Sequence, residues 1–354
     1  MGAMFRSEIR TTVFLLVACL FLVRPAIAAD ITPQLERGRA AFAAGKFDDA
    51  LKAFNEAVAM DAKSAQARYF QGVALEAKKK GVEAEKAYRE AIVLDARLAQ
   101  AHLNLGSLLV AGGKLAEAEK SYRAAIAINP KYAGAFFNLG VLYDRQNKDA
   151  DAVAAYRSAA RYEPKDVSVR LNLGAALRRS GDLDGAIVEA RAALTLDPKN
   201  KLALINLGLL LSDKGDFPGA TTNLRKVVEL YPKDAGGWQA LGRVALRRKE
   251  PEQALEALRK ASALDARDAS IAEDRCRAEA AADPKGAEAI STCRAAIALD
   301  GARPMPRYML AKLLASRGEC AAAKKEMAQF LALPGLTDRA KEGASALLSA
   351  CGQK

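Results

Sequence analysis

The residues able to do chemistry in this sequence are cysteines, one histidine and a recurrent set of arginines. Cys276, Cys293, Cys320 and Cys351 stand together near the C-terminal end, at spacings of 17, 27 and 31. Zinc-binding thiols come in C-x-x-C pairs or with histidines nearby, and neither accompanies these four, so metal ligation is not expected. His102 is the sole histidine, the side chain suited to general acid-base work near neutral pH. Neither a phosphate-binding glycine loop nor an H-E-x-x-H helix goes with it, so the sequence predicts no enzyme, cofactor or metal. The arginines remain. A guanidinium is a forked donor that matches carboxylates and phosphates, and Arg89, Arg123, Arg157, Arg191, Arg225 and Arg259 recur every 34 residues, with Arg294 following after 35.

The N-terminal segment reads as an address. Arg6 and Arg10 precede an apolar run from Val13 to Val23, and Pro25, Ala26, Ile27 and Ala28 supply a small-residue cleavage site. This pattern predicts a secretory signal peptide over residues 1–28, cleaved after Ala28, and a periplasmic or secreted protein. The run is about half the roughly 20 residues a spanning helix needs. The rival reading is the Leu16-Val17-Ala18-Cys19 stretch, which resembles a lipobox and would leave a lipidated Cys19; the apolar run continuing through Val23 counts against it. Loss of three arginines and one glutamate takes the formal charge from +12 to +10. A basic chain suits acidic proteins, anionic membranes and nucleic acid alike, so the distribution of charge must choose.

The frame that positions these groups is periodic. Gly38, Gly72, Gly106, Gly140, Gly174, Gly208 and Gly242 stand 34 residues apart, and 12 residues after each comes Ala50, Ala84, Ala118, Ala152, Ala186, Ala220 or Ala254. Glycine on one helix and alanine on the next let two antiparallel helices approach closely. Four residues past the alanine sits a filler, Phe54, Tyr88, Tyr122, Tyr156, Leu224 or Leu258, with Ala190 the exception. Gly45, Gly113, Asn147, Gly181 and Gly215, seven past their glycines, are types that tolerate the left-handed conformation ending a helix. Pro130, Pro164, Pro198 and Pro232 stop the second helix. Each unit is therefore helix, turn, helix, stop.

Stretches such as AHLNLGSLLVAGGKLAEAEKSYRAAIAINP and AFFNLGVLYDRQNKDADAVAAYRSAARYEP make the chain resemble the tetratricopeptide repeat family almost throughout. The resemblance implies an all-α fold, an α-solenoid of about nine helical hairpins wound as a right-handed superhelix with a C-terminal capping helix. Seven regular repeats are expected over 31–268, two degenerate ones over 269–336, and the cap and tail over 337–354. The cysteines fall in the degenerate part. Residues equidistant from a hairpin's turn lie at the same height on its two arms. The midpoint of Cys276 and Cys293 falls in the turn Asp283 to Gly286, and that of Cys320 and Cys351 in the turn Pro334 to Leu336. Disulfides Cys276–Cys293 and Cys320–Cys351 are expected, as suits an exported protein.

In such arrays the first helix of each hairpin lines a concave groove. The groove-facing positions hold Leu103, Phe137, Val141, Leu171, Ile205 and Leu209, edged by Arg145, Arg178, Arg179, Arg243 and Arg247. One reading is that neighbouring hairpins share these apolar residues as core. The other is a greasy groove suited to a protein or peptide segment with apolar anchors and carboxylates. Asn104, Asn138, Asn172 and Asn206, two before their glycines, form a ladder that the family uses to hold peptide backbone. The family's two-carboxylate clamp is absent, since Leu103 and Ser107, Phe137 and Val141, and Leu171 and Ala175 occupy its lysine and asparagine places. His102 stands where the family packs a large side chain. The outer arginine stripe reads as a solvated face, with peripheral contact to anionic membrane or cell-wall polymer as its alternative; without interleaved aromatics it does not read as a nucleic-acid surface. The expected function is a non-catalytic scaffold of the bacterial envelope.

Overall fold

A computed structural model describes residues 30–350; the expected signal peptide, Cys19 and Cys351 lie outside them. The described residues form helices joined by short turns and fall into two compact units, 30–146 and 147–350. The first unit contains α1 (Thr32–Ala43), α2 (Phe47–Met60), α3 (Ala65–Ala77), α4 (Gly81–Leu94), α5 (Ala99–Ala111), α6 (Leu115–Ile128) and α7 (Ala133–Arg145). The second contains α8 (Asp149–Tyr162), α9 (Val167–Arg179), α10 (Leu183–Leu196), α11 (Lys201–Asp213), α12 (Phe217–Leu230), α13 (Ala235–Arg247) and α14 (Pro251–Leu264). It continues with α15 (Ala269–Ala282), α16 (Ala287–Leu299), α17 (Pro304–Ser316), α18 (Cys320–Leu331) and α19 (Asp338–Ala350). Each unit is a stack of antiparallel hairpins, the all-α solenoid that the family resemblance implies.

Five hairpin seams follow the glycine-to-filler rule. A Cβ added at Gly38, Gly72 or Gly106 would stand 2.3, 2.6 or 2.5 Å from the ring of Phe54, Tyr88 or Tyr122, and one at Gly208 or Gly242 would stand 2.7 or 2.6 Å from Leu224 or Leu258. The alanines 12 residues after the glycines are fully buried. The core is thus a chain of small helix contacts rather than one large apolar centre, which accounts for a low aromatic content of 6%.

In the hairpin α15/α16 the seam is covalent. Cys276 and Cys293 occupy the glycine and filler places, fully buried, and form a disulfide with Cα atoms 4.8 Å apart. The pairing is the one that symmetry about the turn predicts. Cys320, the first residue of α18, is half-buried and has no disulfide partner among the described residues. In the last hairpin Ala311 and Met327 fill the seam, and Ala344 of α19 packs on them beside Phe330.

Gly45, Gly113, Asn147, Gly181 and Gly215 all have positive φ, as expected, and Lys79 and Lys249 hold the same place at 60° and 61°. A lysine there carries a steric cost of about 1 kcal/mol that glycine lacks. Lys249→Gly is expected to stabilise the second unit by up to about 1 kcal/mol, read as a rise in the chemical denaturation midpoint; a fall would contradict the cap assignment.

Candidate functional site

Within each unit the first helices crowd one another. In the second unit α9, α11, α13, α15 and α17 each touch the next, and in the first α1 touches α3 and α5 touches α7, while no second helix meets the following second helix to the same extent. The first helices therefore lie on the tighter, inner side of each stack. The side chains at the predicted groove positions there, Leu103, Phe137 and Val141 in one unit and Leu171, Ile205 and Leu209 in the other, are all half-buried. They pack partly between hairpins and keep an exposed flank.

The arginines of this face in the second unit are paired with carboxylates one hairpin away. Arg178 donates to Asp213 at 2.7 Å, Arg247 donates to the other oxygen of the same carboxylate, and Arg179 meets Asp149 at 2.7 Å. Arg243 meets Asp274, a carboxylate only 2% exposed that also accepts from Gln239 at 2.8 Å and pairs with Arg277. These pairs stitch hairpin to hairpin. Arg145, in the first unit, is exposed.

Asp274 was not among the expected site residues, although the period contains its signal: it stands two before Cys276, in register with the asparagine ladder. The ladder itself is spent unevenly. Asn104 donates to the hydroxyls of Tyr69 and Tyr88 at 3.4 Å, Asn138 to Ser107 at 3.1 Å and Asn172 to the carbonyl of Ser168 at 2.9 Å. The Asn206 side chain makes no hydrogen bond among the described residues. Burial, and the acceptor Glu76 beside it, hold the Tyr88 phenol far above its ordinary pKa, so this ring stays protonated.

His102 is half-buried rather than core, and its Nε2 lies 3.1 Å from the carbonyl oxygen of Ala96 in the preceding turn. Arg170 to Pro164, Trp238 to Pro232 and Arg307 to Gly301 repeat that six-residue reach from equivalent places. The histidine is one of a series of side chains that tie down the turns between hairpins.

On the outer face much of the arginine stripe is also committed. Arg89 pairs with Glu85 and Glu117, Arg123 with Glu119, Arg157 with Asp182 and Arg259 with Glu279 and Glu288. Lys114 and Arg89 together hold the Glu85 carboxyl below its ordinary pKa. Arg191, Arg225 and Arg294 are exposed. No helix among the described residues is long and apolar enough to cross a membrane.

A repeating hairpin with a glycine seam, a left-handed turn cap and a proline stop defines a class, the helical-repeat solenoid. The tetratricopeptide repeat pattern matches residues 35–101, 137–201 and 205–269, and a further TPR repeat pattern matches 106–147. The chain belongs to the tetratricopeptide repeat family. A tetratricopeptide repeat protein from Parabacteroides merdae has a similar crystal structure, with TM-score 0.59, 19% identity and coverage of 72% of this chain and 98% of that one. Pseudomonas aeruginosa pilF follows at TM-score 0.52 and 21% identity, covering 58% of this chain and 94% of its own. The Cut9-Hcn1 hetero-tetramer of APC/C matches at TM-score 0.52 and 19% identity, over 79% of this chain and 55% of that chain. These likenesses are of fold. No curated protein is significantly similar to this chain.

Proposed function

We propose that the protein is an exported, non-catalytic scaffold of the bacterial envelope that binds a segment of a partner protein along the inner, first-helix face. The observation that carries this reading is the row Leu171, Ile205 and Leu209, half-buried side chains on successive first helices that keep an apolar flank in water. Stacked helical repeats characteristically use such faces to hold extended or helical segments. The partner segment is apolar with acidic groups, because Arg178 and Arg247 share the single carboxylate of Asp213 and leave one positive charge unanswered. The Cys276–Cys293 disulfide fits an oxidising compartment outside the cytoplasm. No cofactor or nucleic acid enters this function.

The test is affinity capture from a bacterial envelope fraction with mass-spectrometric identification of what is retained. Ile205→Gln combined with Leu209→Gln is expected to cut capture of the main partner at least tenfold, with helical circular dichroism unchanged. Undiminished capture by a folded double variant would sink the reading.

A further inference from the structure

One hairpin has an empty seat in its seam. Where other hairpins place a ring or a leucine against the glycine, α9/α10 offers Ala190 against Gly174. A Cβ on Gly174 would meet only the carbonyl oxygen of Ala186 at 3.5 Å and Cβ of Glu189 at 3.6 Å, which is ordinary contact. The neighbouring helices have not closed over the gap. A cavity of about 190 Å³ remains, walled by Leu171, Gly174, Ala186, Ala190, Asn206 and Leu210, with Arg170 and Arg178 at its rim. That is room for one aromatic ring; apolar cavities of about 150 Å³ hold benzene.

The chain's own repeats say which ring. Sixteen residues after each filler stands a residue of the next first helix, and every tyrosine filler has an asparagine there: Tyr88 with Asn104, Tyr122 with Asn138 and Tyr156 with Asn172, whereas Phe54 stands with Phe70, Leu224 with Ala240 and Leu258 with Asp274. The chemistry of that pairing is visible. Asn104 donates to the hydroxyl of Tyr88, and Asn138 and the hydroxyl of Tyr122 share Ser107. At the empty seat the sequence keeps the asparagine, Asn206, without the tyrosine, and its amide is unspent.

We infer that this pocket takes a tyrosine side chain of the partner segment. Its ring fills the seat between Gly174 and Ala190, and its hydroxyl accepts a hydrogen bond from Nδ2 of Asn206. Acidic residues beside that tyrosine meet Arg178 and Arg247, which share Asp213. The partner thus supplies in trans the group that Tyr88 and Tyr122 supply in cis. The inference rests on the scaffold reading and names the anchor that reading lacks.

The probe is 4-methylphenol, the tyrosine side chain itself, with toluene as its hydroxyl-free counterpart, titrated into the protein and followed by 15N NMR. Saturable shifts are expected at the Asn206 side-chain amide and the Ala190 backbone amide, with toluene about tenfold weaker for want of the hydrogen bond. Asn206→Leu should erase the difference between the two probes. Ala190→Tyr should fill the seat from within, abolish both titrations and raise the melting temperature. No saturable shift at these amides, or equal titration of the Ala190→Tyr variant, overturns the assignment. Against the captured partner, unchanged binding by Ala190→Tyr together with loss in the Ile205→Gln and Leu209→Gln variant refutes the pocket and leaves the scaffold standing. A partner indifferent to both variants refutes the scaffold face, while the titrations still judge the pocket.

Discussion

Gly106→Ala is expected to lower the melting temperature of the protein, and Gly174→Ala, the same change at the same place of another repeat, is expected to raise it. In an isolated helix both would gain, since alanine is favoured over glycine by about 1 kcal/mol. The seam reverses the sign at Gly106. Its new Cβ would stand 2.5 and 2.7 Å from two atoms of the Tyr122 ring. The ring is 2% exposed and its hydroxyl is tied to Ser107, so it has no free direction in which to yield. Overpacking of this kind costs about 1–3 kcal/mol, which outweighs the helical gain. At Gly174 the nearest atoms are 3.5 Å away or more, the new methyl meets ordinary contact, and up to about 1 kcal/mol of stabilisation survives. Thermal unfolding followed by circular dichroism reads both. Two changes of the same sign would show that the seams are not what sets the helix spacing.

The second large effect is expected at the cystine. Replacing Cys276 and Cys293 together by alanine should lower stability by about 3 kcal/mol, because the bond closes a loop in the unfolded chain and its two halves fill the closest approach of α15 and α16. The hairpin that lost its glycine and its large filler holds a covalent link in their place. Restoring the family solution, Cys276→Gly with Cys293→Tyr, should recover part of the loss, since it returns a knob and its hole to the seam. Intact-mass measurement with and without reductant checks the bond itself. Both sulfurs belong to fully buried residues, so alkylation of the native, unreduced protein should leave Cys276 and Cys293 unmodified. Modification of either would refute the pairing.

Most of the architecture was legible in advance because it depends on contacts close in sequence. A hairpin's seam joins residues 16 apart, its turn lies midway, and helical geometry puts equidistant residues at one height. That is why Cys276 and Cys293 could be paired, and why Gly45, Gly113 and Gly215 could be placed in left-handed turns. Lys79 and Lys249 adopt the same conformation without the residue type that announces it. The candidate site was legible only in outline. Leu171, Ile205 and Leu209 lie on the expected face, but the arginines beside them reach carboxylates about 30 residues away, and no local pattern names those partners.

The sequence by itself determined the 34-residue period, the hairpins, the seams and the cystine, because each follows from residue type and spacing along one or two helices. It also marked Ala190 as the position without a filler. Only the tertiary structure decided what became of that gap. The helix spacing around it is set by the intact seam of the following hairpin, where Leu224 is fully buried against Gly208. Three helices held apart by their neighbours cannot collapse onto an alanine, so a missing ring became a cavity with an unspent amide in its wall. The fate of the groove arginines was decided in the same way, by which carboxylate the stacking of hairpins carried within reach.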